Sequence, residues 1–168
     1  MVLTKDELIT SLQHEAKVFL HLASKIDAAR LDYRPTPGQR STLDLVRYMV
    51  IMGPIHFRAV MADAFDLDAW RTAWRTEEAR AKAMSLGEAR NAIASHPMLF
   101  AELLASSSDA DLRASIDMFG RKASRGSMLV SLVLCHYTAY RMQLFLYLKA
   151  SGRDELSTMN LWAGMDAA

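Results

Sequence analysis

Cysteine is nearly absent from this chain: Cys135 is the single one, so no intrachain disulfide can form and nothing calls for an oxidising compartment. It lies in an apolar helical run and is expected to be a buried free thiol, which suits the cytoplasm. An excess of one charge is missing too. Twenty lysines and arginines against 19 acidic residues leave a net charge of +1, too little to drive binding to a phosphate backbone, so nucleic acid is not an expected partner. No uninterrupted apolar run has the length of a membrane span. The most apolar stretch, residues 128–148, carries Ser131, His136, Thr138, Arg141 and Gln143, and reads as a buried bundle helix. Lys5, Asp6 and Glu7 interrupt the start, where a secretory signal needs a continuous apolar core. There is no glycine-rich phosphate loop, internal repeat or low-complexity run.

What remains is 168 residues, 51% hydrophobic and 23% charged, the balance of one globular domain with a real core. The periodicity predicts an all-α four-helix bundle with a long crossover connection. Thr4 and Glu7 form a capping box for a first helix over residues 4–29, along which Leu8, Leu12, Phe19, Leu22 and Ile26 recur at helical spacing. Pro35, Pro37 and Gly38 then enforce a loop. Ser41 caps a second helix with Leu45, Tyr48, Met49, Met52, Ile55 and Ala59 on its stripe, and Pro54 should kink or end it. Residues 63–83, with Trp70 and Trp74, read as a loop with a short helical piece. A third long helix is expected from the Ser85/Glu88 capping box to the serines at 106–108, bent at Pro97. Residues 109–125 suit a crossover. Ser124 or Ser127 caps a fourth helix that Gly152 stops.

On that fourth helix His136, Tyr140, Gln143 and Tyr147 fall at 0, 4, 7 and 11, so they share one face and are expected to meet inside the bundle. A lone core histidine is commonly satisfied by a neighbouring hydroxyl; alternatively it binds a metal or a substrate. His56 follows the inward stripe of the second helix but lies about 12 Å of helix rise from Tyr48. His14 and His21 read as solvated, and His96 as a residue at the bend before Pro97. No Glu-x-x-His pair is present, which argues against a di-iron carboxylate bundle.

The segment Leu31-Asp32-Tyr33-Arg34-Pro35-Thr36-Pro37-Gly38-Gln39-Arg40-Ser41, then Leu45-Val46-Arg47-Tyr48-Met49, and finally His136-Tyr137-Thr138-Ala139-Tyr140-Arg141-Met142-Gln143-Leu144 with Tyr147-Leu148 and Gly152, resembles the DinB/YfiT-like metalloenzyme family over most of the chain. The resemblance implies a four-helix bundle, commonly a homodimer, with a divalent metal such as zinc or nickel held by one histidine of the second helix and two of the fourth. At those positions stand Tyr48, His136 and Tyr140. A phenol with a pKa near 10 must ionise before it binds a metal well, so no tight metal is expected here. The expected function is a small-molecule pocket of DinB-like type, with His136 as candidate general base and Tyr48, Tyr140 and Gln143 as ligand-binding groups. The alternatives are a metal-dependent thiol transferase or isomerase, which the resemblance suggests, and a non-catalytic structural or regulatory dimer.

Overall fold

The computed structural model describes residues 3–167. Helix α1, Lys5–Ala23, starts at the Thr4/Glu7 capping box and buries Leu8, Leu12, Phe19 and Leu22. It ends sooner than its periodicity suggests. Ser24 closes it, and a separate 3₁₀ turn, Ala28–Arg30, follows with Asp27 as its cap. Helix α2, Thr42–Met61, begins at Ser41, whose hydroxyl accepts the Asp44 N–H. It runs through Pro54 without ending. Pro54 has no N–H for the Val50 carbonyl one turn back, and the ring of His96, a residue of another helix, hydrogen-bonds that carbonyl instead.

Residues 67–82 correct the sequence reading. They form a full helix, α3 (Leu67–Lys82), capped by Asp66, which accepts from the N–H groups of Asp68 and Ala69. Its buried face is minimal, with Ala81 alone fully covered. Intrahelical pairs such as Arg71–Asp68 and Arg80–Glu77 line the outside. The expected third helix is broken in two, α4 (Leu86–Ala94) and α5 (His96–Leu104), because Pro97 enters the first turn of α5. The crossover holds a short helix, α6 (Asp109–Arg113), and a hairpin of β1 (Ser115–Met118) and β2 (Arg121–Ser124). Phe119 and Gly120, both at positive φ, make its two-residue turn. This hairpin is the one departure from an otherwise helical chain among the described residues.

The last long helix is compound: α7 (Arg125–Leu129) capped by Ser124, a π-helical turn over Val130–Leu134, and α8 (Cys135–Ala150). Around the bundle, α1 and α2 stand at opposite corners, joined by α8 on one side and by α4 and α5 on the other. Helix α3 lies outside, against α2. The segment after Arg153 includes a π-helical turn (Met159–Ala163) that packs on α1. Among the described residues no helix is long and apolar enough to cross a membrane.

Candidate functional site

Tyr48 on α2 and Tyr140 on α8 approach with ring centres 4.9 Å apart and share a hydrogen bond. His136, one turn before Tyr140, lies against it with ring centres 6.1 Å apart. The three sequence-predicted positions therefore come together. They are half-buried and flank the core instead of filling it. The inward positions of α8 belong to the next stripe round, Val133, Tyr137, Arg141, Leu144 and Leu148. The polar groups of that stripe are paired inside the bundle, although Arg141 Nε and Glu15 Oε2 are left without a partner among the described residues. Tyr137 hydrogen-bonds His96 Nδ1 at 2.5 Å, and Arg141 pairs with Glu15 at 3.0 Å. His96 does stand at the break before Pro97, and it is also a core residue, bridging Tyr137 and the carbonyl that Pro54 frees.

Tyr147 turns away from the trio into the core, and Gln143 stands between the two. The Gln143 amide donates to the Tyr147 hydroxyl at 2.7 Å, and that hydroxyl donates to the Arg40 carbonyl at 3.2 Å. Together with the edge-on contact of Tyr33 and Tyr147, this anchors the proline loop to α8. The loop in turn sets the Arg40 guanidinium 4.0 Å above the Tyr48 ring.

Sequence reasoning undervalued His56. It is buried, its ring centre lies 5.8 Å from that of His136, and the two planes are inclined by 26°. Trp70 and Trp74 of α3 pack on it at 5.7 and 5.6 Å, and Trp74 also contacts Tyr48. The signal was present in the i,i+4 spacing of the tryptophans, which fits a helix face applied to α2. A continuous aromatic layer results, running from Arg40 through Tyr48 and Tyr140 to the histidine pair and the tryptophans.

Both histidines are anchored by the main chain. His56 Nδ1 donates to the Met52 carbonyl at 2.8 Å, and His136 Nδ1 donates to the Ser131 carbonyl at 3.2 Å. The second contact spans five residues and sits at the π-helical turn, a feature frequent at functional sites. With Nδ1 protonated, each neutral ring presents an Nε2 lone pair. Burial lowers the pKa of His56 and favours its neutral form, and the nearby His136 acts in the same direction. The Tyr48 hydroxyl is pushed up by burial first and by Tyr140 second, so it stays protonated. Trp70 Nε1–H is buried without an acceptor among the described residues.

A groove of about 460 Å³ opens onto this layer along α8, lined by Ser131, Cys135, His136, Ala139, Tyr140 and Gln143. Cys135 is exposed there, contrary to the expectation of a buried thiol, because the inward stripe passes through Val133 and Tyr137, two residues to either side, and turns position 135 outward. His14 and His21 are likewise more than solvated residues. His14 Nε2 meets the Trp162 carbonyl at 2.9 Å, and His21 Nε2 meets the Asn160 amide at 3.1 Å, so both tie the C-terminal segment to α1.

No family model matches the sequence, and no curated protein matches it. Solved structures do. A DinB-like protein from Bacillus cereus ATCC 10987 superposes with a TM-score of 0.71 at 18% identity, covering 90% of this chain and 95% of that one. The fold is DinB-like. YjoA, a DinB-like protein from Bacillus subtilis, aligns at a TM-score of 0.67 and 19% identity, covering 89% of this chain and 94% of that one. Each covers about nine-tenths of this chain, so the likeness concerns the whole architecture and not one helix pair.

The metal that the DinB resemblance implies does not fit positions 48, 136 and 140 of this chain. Two of the three groups are phenols whose pKa burial keeps high or whose hydroxyl is engaged by the other ring. Among the described residues no group of three or more His, Cys, Asp or Glu side chains is placed to hold a metal ion.

Proposed function

We propose that this DinB-like protein binds a small molecule in the α8 groove, with hydrogen bonding by His136, Tyr140 and Gln143 of its lining and with Tyr48 behind Tyr140, in place of a three-histidine metal centre. The observation that carries this reading is the Tyr48–Tyr140 hydrogen bond at the two positions where imidazoles would be needed. His136, with Nδ1 tied to the Ser131 carbonyl, directs Nε2 toward a role as acceptor of a ligand proton, as a general base would. The phenols are suited to donate to an oxygen of the same ligand. A thermal-shift screen of metabolites tests this in metal-free buffer. Hits should weaken in His136→Asn, Tyr48→Phe and Tyr140→Phe. Stoichiometric zinc or nickel in protein purified without added metal would overturn the reading.

A second copy of the chain is the partner favoured by the outer face of α8. Cys135, Ala139, Met142 and Leu146 are exposed and spaced 4, 3 and 4 apart, the seam spacing of packed helices, and because Cys135 and Ala139 also line the groove, a second copy here would form part of its wall. Arg141 is the one charged residue in residues 130–148, and it is buried. Interface cores are depleted of charge in this way. Light scattering after size-exclusion chromatography should give a dimer that Leu146→Glu converts to a monomer. A monomeric wild type at all concentrations would rule this partner out.

A further inference from the structure

His56 and His136 form a pair that the family positions do not include. His136 lies between two neighbours, Tyr140 at 6.1 Å and His56 at 5.8 Å, so it belongs as much to His56 as to the phenols. Eight residues separate His56 from Tyr48, about 12 Å of helix rise. The pair therefore sits at the α3 end of the aromatic layer, away from the Tyr48–Tyr140 hydrogen bond.

The chemistry of the pair is that of metal-binding imidazoles. A ligating histidine almost always donates its other ring N–H to a carbonyl or carboxylate, which fixes the tautomer and leaves the lone pair available. Both rings here meet that condition, through Met52 and Ser131. Neither Nε2 has a hydrogen-bond partner among the described residues. Separation also fits. With an ion about 2.1 Å from each nitrogen, each ring centre stands roughly 3.2 Å from the ion, so two shared imidazoles have centres roughly 5–6.4 Å apart. The observed 5.8 Å falls inside that range. An ion needs little room, which suits the packed space between the two rings.

We propose that Nε2 of His56 and Nε2 of His136 together bind one exchangeable divalent transition-metal ion, Cu²⁺ most tightly, in a site displaced along α2 from the family triad. Two neutral nitrogens suit copper, nickel and zinc, and copper heads the affinity order. Solvent from the groove at Ser131 and Cys135 completes the coordination, and the unpartnered Trp70 N–H supplies a donor for a bound hydroxide or anion. With two protein ligands the ion exchanges freely. The ion uses the same His136 Nε2 that the small-molecule reading uses, so the two occupants compete there, and Tyr48→Phe and Tyr140→Phe, which leave both histidines in place, tell their failures apart.

Trp70 and Trp74 pack directly on His56, so a paramagnetic ion in this site quenches their fluorescence. Cu²⁺ is titrated into the full chain carrying Cys135→Ser, to remove the exposed thiol, and Trp162→Phe, because Trp162 lies beside His14. Saturable quenching in the micromolar range, reversed by EDTA, is expected. His56→Asn and His136→Asn each keep an N–H near the anchoring carbonyl while deleting Nε2, and each should weaken the midpoint by at least about tenfold. Tyr48→Phe should leave it unchanged. Circular dichroism checks that every variant is folded. Absence of saturable quenching overturns the proposal, as does quenching that survives either Asn variant or that Tyr48→Phe weakens equally.

Discussion

Tyr48 and Tyr140 hydrogen-bond to each other across the α2–α8 interface, with ring planes inclined by 56°. Each phenol is thereby the partner of the other, and each needs the aromatic layer around it to stay in place. Neutral side-chain hydrogen bonds of this kind contribute about 0.5–1.5 kcal/mol.

Tyr48→Phe and Tyr140→Phe are accordingly expected to destabilise the fold by about 1 kcal/mol each, and the double variant by less than the sum. Urea denaturation of the four proteins gives the coupling energy. Strict additivity would show that the two hydroxyls do not interact.

His96 governs a pH response. Burial lowers its pKa to about 4 from 6.5, so the unfolded chain takes up a proton before the folded one does. Stability should be full above pH 6.5 and fall as the pH drops toward 4, by up to about 3 kcal/mol. Denaturation of the wild type and His96→Gln between pH 7 and 4 checks the sign. A flat difference between them over that window would contradict it.

The Pro54 break makes a second forecast for the same residue. His96→Ala strands both the Tyr137 hydroxyl and the Val50 carbonyl, at a cost of about 2–4 kcal/mol. Restoring the N–H at position 54 with Pro54→Ala should recover part of that loss, because the Val50 carbonyl regains its own helical donor. Chemical denaturation of the double variant measures the recovery.

The Glu15–Arg141 pair is nearly sealed, with side-chain exposures of 12% and 2%, and Trp162 covers the guanidinium at 4.6 Å. Burial raises the Glu15 pKa even against the opposing Arg141 charge, and it lowers that of Arg141. Desolvation therefore outweighs attraction at both partners. Arg141→Met alone should cost about 3–5 kcal/mol, whereas Arg141→Met with Glu15→Leu should come close to the wild type. Thermal melts of the single and double variants separate the two cases.

Much of the bundle was legible because its helix starts carry side-chain caps. Thr4, Ser41, Ser85 and Ser124 all begin the helices that the sequence assigns to them. Helix α3 was not legible, since its apolar face is reduced to Trp70, Trp74 and Ala81 and periodicity has little to register. The face of α8 was read one residue out. Spacing groups His136, Tyr140, Gln143 and Tyr147, but it cannot show that a buried Glu15 makes Arg141 an inward residue, or that His96 satisfies Tyr137. The meeting of Tyr48, His136 and Tyr140 was readable from the motif. The meeting of His56 with His136 was not, because it depends on a contact between helices about 80 residues apart in sequence, made beside a π-helical turn that no local pattern announces.

Long-range ¹H–¹⁵N spectra of the histidine rings probe the site most directly, since free neutral imidazole prefers the Nε2–H form. His56 and His136 should both appear as Nδ1–H tautomers with unprotonated Nε2, and Tyr140→Phe should shift the His136 signals. Nε2–H tautomers at both positions would contradict the geometry on which the pocket and the histidine pair depend.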